Sequence, residues 1–304
     1  YEMTSSLVGS EMCIRDRMDT EAGTQYNALH GYTSELDSTL FYGNITPVAK
    51  DRKLTVTINT YGEDIEGVAY KIRSLEDKSL IENTEVSDYD NAGSSINVTF
   101  NIKNLLDTGK EYALEIVLKT KKHEAVYYYT RIVYGVDYDL QKKLDFVMDF
   151  NACTFDDSRL KDIAGYLETS SSGDNTNYGK VNINCSLSQV GWGDLDPYVE
   201  SDIMPEVISV DDDVAILRLS YRVGAANDYS SSDTYTVSEY YRIRQTNSGF
   251  YLLNFEREMN QVFDARNDLT STAKINLGIN SSTDVNCASD EKGIYTYFVN
   301  QGSL

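Results

Sequence analysis

Between Lys53 and Gly135, apolar and polar residues alternate in short runs. Leu54, Val56 and Ile58 interleave with Thr55, Thr57 and Asn59, the period-2 pattern of a strand with one buried face. The same reading predicts strands over 68–75, 80–86, 96–102, 112–120 and 125–134. Clusters such as Gly62-Glu63-Asp64, Glu76-Asp77-Lys78, Asn91-Ala92-Gly93, Asp107-Thr108-Gly109 and Lys121-Lys122-His123 supply the turns between them. At Tyr138 the spacing changes to a helical one. Leu140, Leu144, Val147 and Met148 share one face, and a second helix, opened by Thr154 and Asp157 in a capping-box arrangement, places Leu160, Ile163, Ala164 and Leu167 on another. Each amphipathic helix needs a sheet or partner to cover its apolar side. Long strands are predicted next over 180–190, 207–223, 234–245 and 250–256, with Asn247-Ser248-Gly249 as a tight hairpin. Residues 18–46 are polar with weak helical character, and Leu36, Leu40 and Phe41 form their contact stripe.

These patterns divide the chain. Residues 4–17 read TSSLVGSEMCIRDR, which resembles a translated sequencing-adaptor artefact. Residues 1–17 are therefore set aside as an artefactual or disordered leader, and 18–50 as a lead-in. Short strands at regular spacing over 51–136 suggest an immunoglobulin-like or fibronectin-like sandwich. Over 137–266, two helices followed by long antiparallel strands, closed by the hairpin YYRIRQTNSGFYLLNFE, resemble the NTF2-like (cystatin-like) cone. Residues 267–304, with KINLGI, ASDEKG and IYTYFVNQGSL, are similar to the opening blade of a TolB-type β-propeller. The expected class is mainly β with α+β, truncated within that first blade. The combination resembles large surface or membrane-anchored proteins of gut clostridia.

Charge narrows the partners. Asp and Glu outnumber Lys and Arg by 48 to 27, a net charge of −21. Such a surface repels phosphate backbones and anionic lipid, which argues against nucleic acid and against a peripheral membrane helix. Apart from Cys13 in the leader, Cys153, Cys185 and Cys287 are an odd, widely spaced set with no disulfide framework or CxxC site. Only His30 and His123 are available to a histidine-based metal centre. No metal or cofactor is expected.

Motifs that imitate chemistry are incomplete. Asp88 to Gly93 opens like a calcium loop, but Ala92 interrupts the ligand series and Thr99 stands where a bidentate Glu belongs. Asp211-Asp212-Asp213 precedes a strand and reads as turn chemistry. Asp194 and Asp196 are acids close in sequence, which does not establish the separation across a scissile bond that a glycosidase needs. Ser158-Arg159-Leu160-Lys161 matches S-x-x-K without a companion K-T-G. Trp192 is assigned to packing or to a rim rather than to a sugar platform.

The expectation is a non-enzymatic, extracytoplasmic spacer, scaffold or protein-binding module of the cell envelope. Its partner would be a protein or a cell-wall component, and its link to the membrane an anchor upstream of these residues. The alternative is a small-ligand or catalytic pocket in the cone, for which Tyr221, Tyr240 and Phe250 are the candidate lining.

Overall fold

The computed structural model describes residues 13–17, 24–89, 95–103, 105–135, 138–226, 232–262, 287–289 and 296–298. In chain order the first strands are β1 (Cys13–Arg17), β2 (Gln25–Leu29), β3 (Ile45–Val48), β4 (Lys53–Asn59), β5 (Ile65–Ser74), β6 (Leu80–Val86), β7 (Ser95–Asn101), β8 (Glu111–Thr120) and β9 (Val126–Tyr134). Helix α1 (Leu140–Thr154) and a 3₁₀ turn (Leu160–Tyr166) follow, then β10 (Lys180–Asn182), α2 (Leu187–Val190) and β11 (Tyr198–Val199). The remaining strands are β12 (Met204–Val210), β13 (Val214–Ala226), β14 (Ser232–Thr246), β15 (Gly249–Gln261), β16 (Cys287–Ser289) and β17 (Thr296–Phe298). The protein is mainly β.

The chain forms two compact units, 1–149 with 204–218 and 241–253, and 150–203 with 219–240 and 254–304. In the first, a sheet of order β2-β1-β4-β7 and one of order β3-β9-β8-β5-β6 bury a common core. The alternation read from the sequence builds it: Leu54, Val56 and Ile58 meet Tyr70, Ile72, Leu114, Ile116 and Tyr128, all buried. Each such aliphatic or aromatic side chain contributes about 1.5–3 kcal/mol by leaving water. Two buried acids are held by partners. Glu82 accepts from the Tyr70 hydroxyl at 2.6 Å and the Lys103 amide at 2.9 Å, and Glu115 pairs with Lys71 at 2.7 Å.

Several expectations need correcting. The leader's sequence predicts no strand, yet β1 pairs with both β2 and β4, with Ile14 opposite Ile58. Ladder hydrogen bonds come from the backbone, so a segment without clear alternation can fill a strand position. Among the described residues of the lead-in the only helical element is a 3₁₀ turn at Ser38–Leu40: Leu36 and Leu40 are exposed, while Tyr26, Leu29, Ile45 and Val48 are buried on β2 and β3. Beyond α1 the second helix is only the 3₁₀ turn, because Asp156 binds the Ser158 amide and hydroxyl, and a local turn replaces the capping box. The strand predicted over 180–190 ends at Asn182. Ser186 then caps α2 by accepting from the Gln189 amide at 3.2 Å. The strand predicted over 207–223 is broken at Asp211, whose carboxylate accepts from the Asp213 and Val214 amides and turns β12 into β13.

The second unit is built on the sheet β10-β15-β14-β13-β11, whose long strands β13, β14 and β15 also run into the first unit's residue ranges. Near the C-terminus β16 and β17 pair antiparallel. KINLGI lies outside the described residues, as does most of Asp88 to Gly93.

Candidate functional site

In the second unit, strand alternation sends Tyr221, Val223, Val237, Glu239, Phe255, Arg257 and Met259 inward, and all are buried. Two of these inward positions are charged. Glu239 and Arg257, each with a fully buried side chain, pair through Arg257 Nε and Glu239 Oε1 at 2.7 Å. The same carboxylate accepts from the Tyr221 hydroxyl at 3.0 Å and, through Oε2, from Asn151 Nδ2 at 2.8 Å. Asn151 also reaches the Tyr221 oxygen at 3.1 Å.

The short helix α2 completes the cluster. Arg257 Nη1 donates to the Val190 carbonyl at 2.9 Å, and the guanidinium lies 3.7 Å from the centroid of the Trp192 ring. Trp192 is buried, packs on Phe155 and donates its indole N–H to Thr154 at 3.3 Å, consistent with the packing role. A desolvated cation over indole is worth about 2 kcal/mol. Among the described residues Arg257 Nη2 is buried without a hydrogen-bond partner. Burial and the adjacent Glu239 carboxylate push the Tyr221 phenol well above its ordinary pKa, so it stays protonated and donates.

This arrangement can hold strands in register. Both Glu239 oxygens already accept hydrogen bonds from protein groups, so the carboxylate is poorly placed to move a substrate proton, which requires direct reach.

Of the lining candidates, only Tyr221 joins the cluster. Tyr240 follows Glu239 directly in β14 and so faces the opposite side of the sheet. Phe250 belongs to the first unit, where it stacks on Phe146 with centroids 4.8 Å apart. Asn151, Glu239 and Arg257 were not anticipated. The signal was present: Glu239 stands between Val237 and Tyr241, and Arg257 between Phe255 and Met259, each on the apolar phase of its strand.

The other motifs remain separate. Ser158 is engaged by Asp156, and Asp194 accepts from the Tyr178 hydroxyl at 3.3 Å. Among the described residues no three His, Cys, Asp or Glu side chains gather as a metal site, and no helix is long and apolar enough to cross a membrane.

What fold and cluster define is a mainly β protein with a charged pair locked inside one unit. No family model matches the chain, and no curated protein matches it. It is similar to the solved structure of Spo0M, a sporulation control protein from Bacillus subtilis, at 9% identity and a TM-score of 0.21, covering 72% of this chain and 86% of that one. A TM-score that low carries no fold assignment.

Proposed function

We propose that this chain is a non-enzymatic spacer and binding module of an extracytoplasmic, cell-envelope protein. In this reading the first unit's two sheets serve as an immunoglobulin-like module, the helix-backed long strands as an NTF2-like one, and the C-terminal residues as the entry to a propeller. The observation that supports it best is the closure of the Glu239–Arg257 cluster by Tyr221, Asn151, Val190 and Trp192. Where a catalytic cone would offer a carboxylate to a pocket, this carboxylate is spent on internal hydrogen bonds. An acidic surface with mainly β architecture suits a module that keeps its neighbours apart in solution.

The test is the thermal stability of Glu239→Gln beside wild type. A structural carboxylate predicts a lower melting temperature, because Arg257 keeps its charge and loses its anion. A carboxylate held for catalysis predicts an unchanged or higher melting temperature, since functional polar groups are commonly kept at a cost to stability. The second outcome would overturn the proposal.

A further inference from the structure

The other side of the same sheet carries a concavity of about 440 Å³. Its floor is three adjacent strands, with Ser220 and Arg222 from β13, Thr236 and Ser238 from β14, and Glu258 and Asn260 from β15, and Ser201 also lines it. Here small hydroxyl residues occupy the middle and leave a depression between Arg222 and Glu258.

The lining offers unspent hydrogen-bonding capacity. Arg222 uses its backbone N–H on Ser201 at 2.9 Å. Its guanidinium, and the hydroxyls of Ser220 and Ser238, have no protein partner among the described residues. Arginine only donates, an ionised glutamate only accepts, and serine, threonine and asparagine do both. Glu258 is paired with Lys180 on β10 at 3.6 Å, and Arg222 brings a second cation to a chain of net charge −21. A polyanion is repelled by the whole. On β13 the next outward position after Arg222 is Gly224. A Cβ built there would stand 2.3 Å from the Tyr198 ring, so glycine makes room for that ring, which is 51% exposed.

We propose that this outward face, centred on Arg222, Ser238 and Glu258 and bordered by Tyr198, is a binding site for a neutral saccharide. Vicinal hydroxyls donate and accept together, which matches the mixed lining, and the C–H face of a sugar ring can lie on the exposed tyrosine. The volume falls within the range of small-ligand sites. The inference deepens the binding-module reading and rests on it.

The test is an array of neutral oligosaccharides, including chitobiose, cellobiose and maltotriose, presented to the full chain and followed by titration of any positive. The expected result is binding at about millimolar affinity or better, weakened about tenfold or more by Arg222→Ala and by Ser238→Val. Arg222 and Ser238 are both exposed, so these variants should melt like wild type. Tyr251→Ala, at an exposed position of the first unit, should leave binding unchanged. No binding across the array at about 1 mM, or binding indifferent to both substitutions, would overturn the site and leave the module reading intact. Mass spectrometry of the incubated sugars separates the two claims, because hydrolysis of a bound oligosaccharide would overturn the module reading.

Discussion

Removing one partner of the Glu239–Arg257 pair should cost far more than removing both. Arg257→Met leaves an ionised carboxylate buried among Tyr221 and Asn151, while Glu239→Leu leaves a guanidinium whose remaining contacts include the Val190 carbonyl and the Trp192 ring. Breaking a buried pair in this way costs about 3–5 kcal/mol. The double variant strands neither charge. Its main loss is the acceptor for Tyr221 and Asn151, about 1–3 kcal/mol, partly offset because apolar side chains replace a pair that was costly to desolvate. The double should therefore be no less stable than either single, with a coupling energy of about 3 kcal/mol or more. Urea denaturation followed by fluorescence suits the measurement, because the chain has 1 tryptophan and Trp192 sits in the cluster. Single variants whose losses add to that of the double would refute the reasoning, since additivity means the two groups do not share one interaction.

Further outcomes follow from other pins. Lys143 is buried and donates to the carbonyls of Tyr138, Asp211 and Asp212, the last two at 2.8 and 3.0 Å, so Lys143→Met should lower stability by about 1–3 kcal/mol in denaturant titrations. Asn27 is buried, donates to the Ile45 carbonyl at 3.0 Å and accepts from the Val207 amide at 2.8 Å; Asn27→Leu should cost about 1–3 kcal/mol by the same assay. Tyr221 is held neutral in the folded state, whereas the unfolded chain ionises near the ordinary tyrosine pKa. Its contribution is thus full below pH ~10 and lost as pH rises above it, so Tyr221→Phe should flatten the fall in melting temperature on the alkaline side. Lys78 and Asp37 form an exposed pair at 2.7 Å, and Lys78→Ala should leave the melting temperature unchanged.

Much of the β architecture was legible because strands such as β5 and β7 bury one face. The bounds of β6 match the predicted 80–86, and β4, β7, β8 and β9 match to within a residue or so. Legibility failed where local polar contacts outweigh side-chain pattern. The break after Asn182 depends on the Ser186 cap, which leaves little mark in the run that suggested a longer strand, whereas the turn at Asp211, where one carboxylate accepts two amides, is legible in the Asp211-Asp212-Asp213 run that the predicted strand passes through. β2 and β3 were hidden because each rests on few apolar residues, with Asn27 supplying a buried polar link. The charged cluster was readable in part. Glu239 and Arg257 break the apolar phase of β14 and β15, but which side chains answer them depends on Asn151 and Trp192, which are distant in sequence. The outward concavity had no counterpart in the pattern, since exposed serines on a strand read as ordinary solvent-facing positions.

The central claim is that the charges inside the second unit are sealed and structural. The hydrogen-exchange rate of the Arg257 Nε proton, followed by ¹⁵N NMR in the full chain, tests it most directly. That proton donates to Glu239 at 2.7 Å on a fully buried side chain, so it should exchange only through unfolding of the unit, as slowly as the backbone amides of β14 and β15. Rapid exchange while those amides remain protected would reveal a water-filled cone open to ligand and would contradict the account.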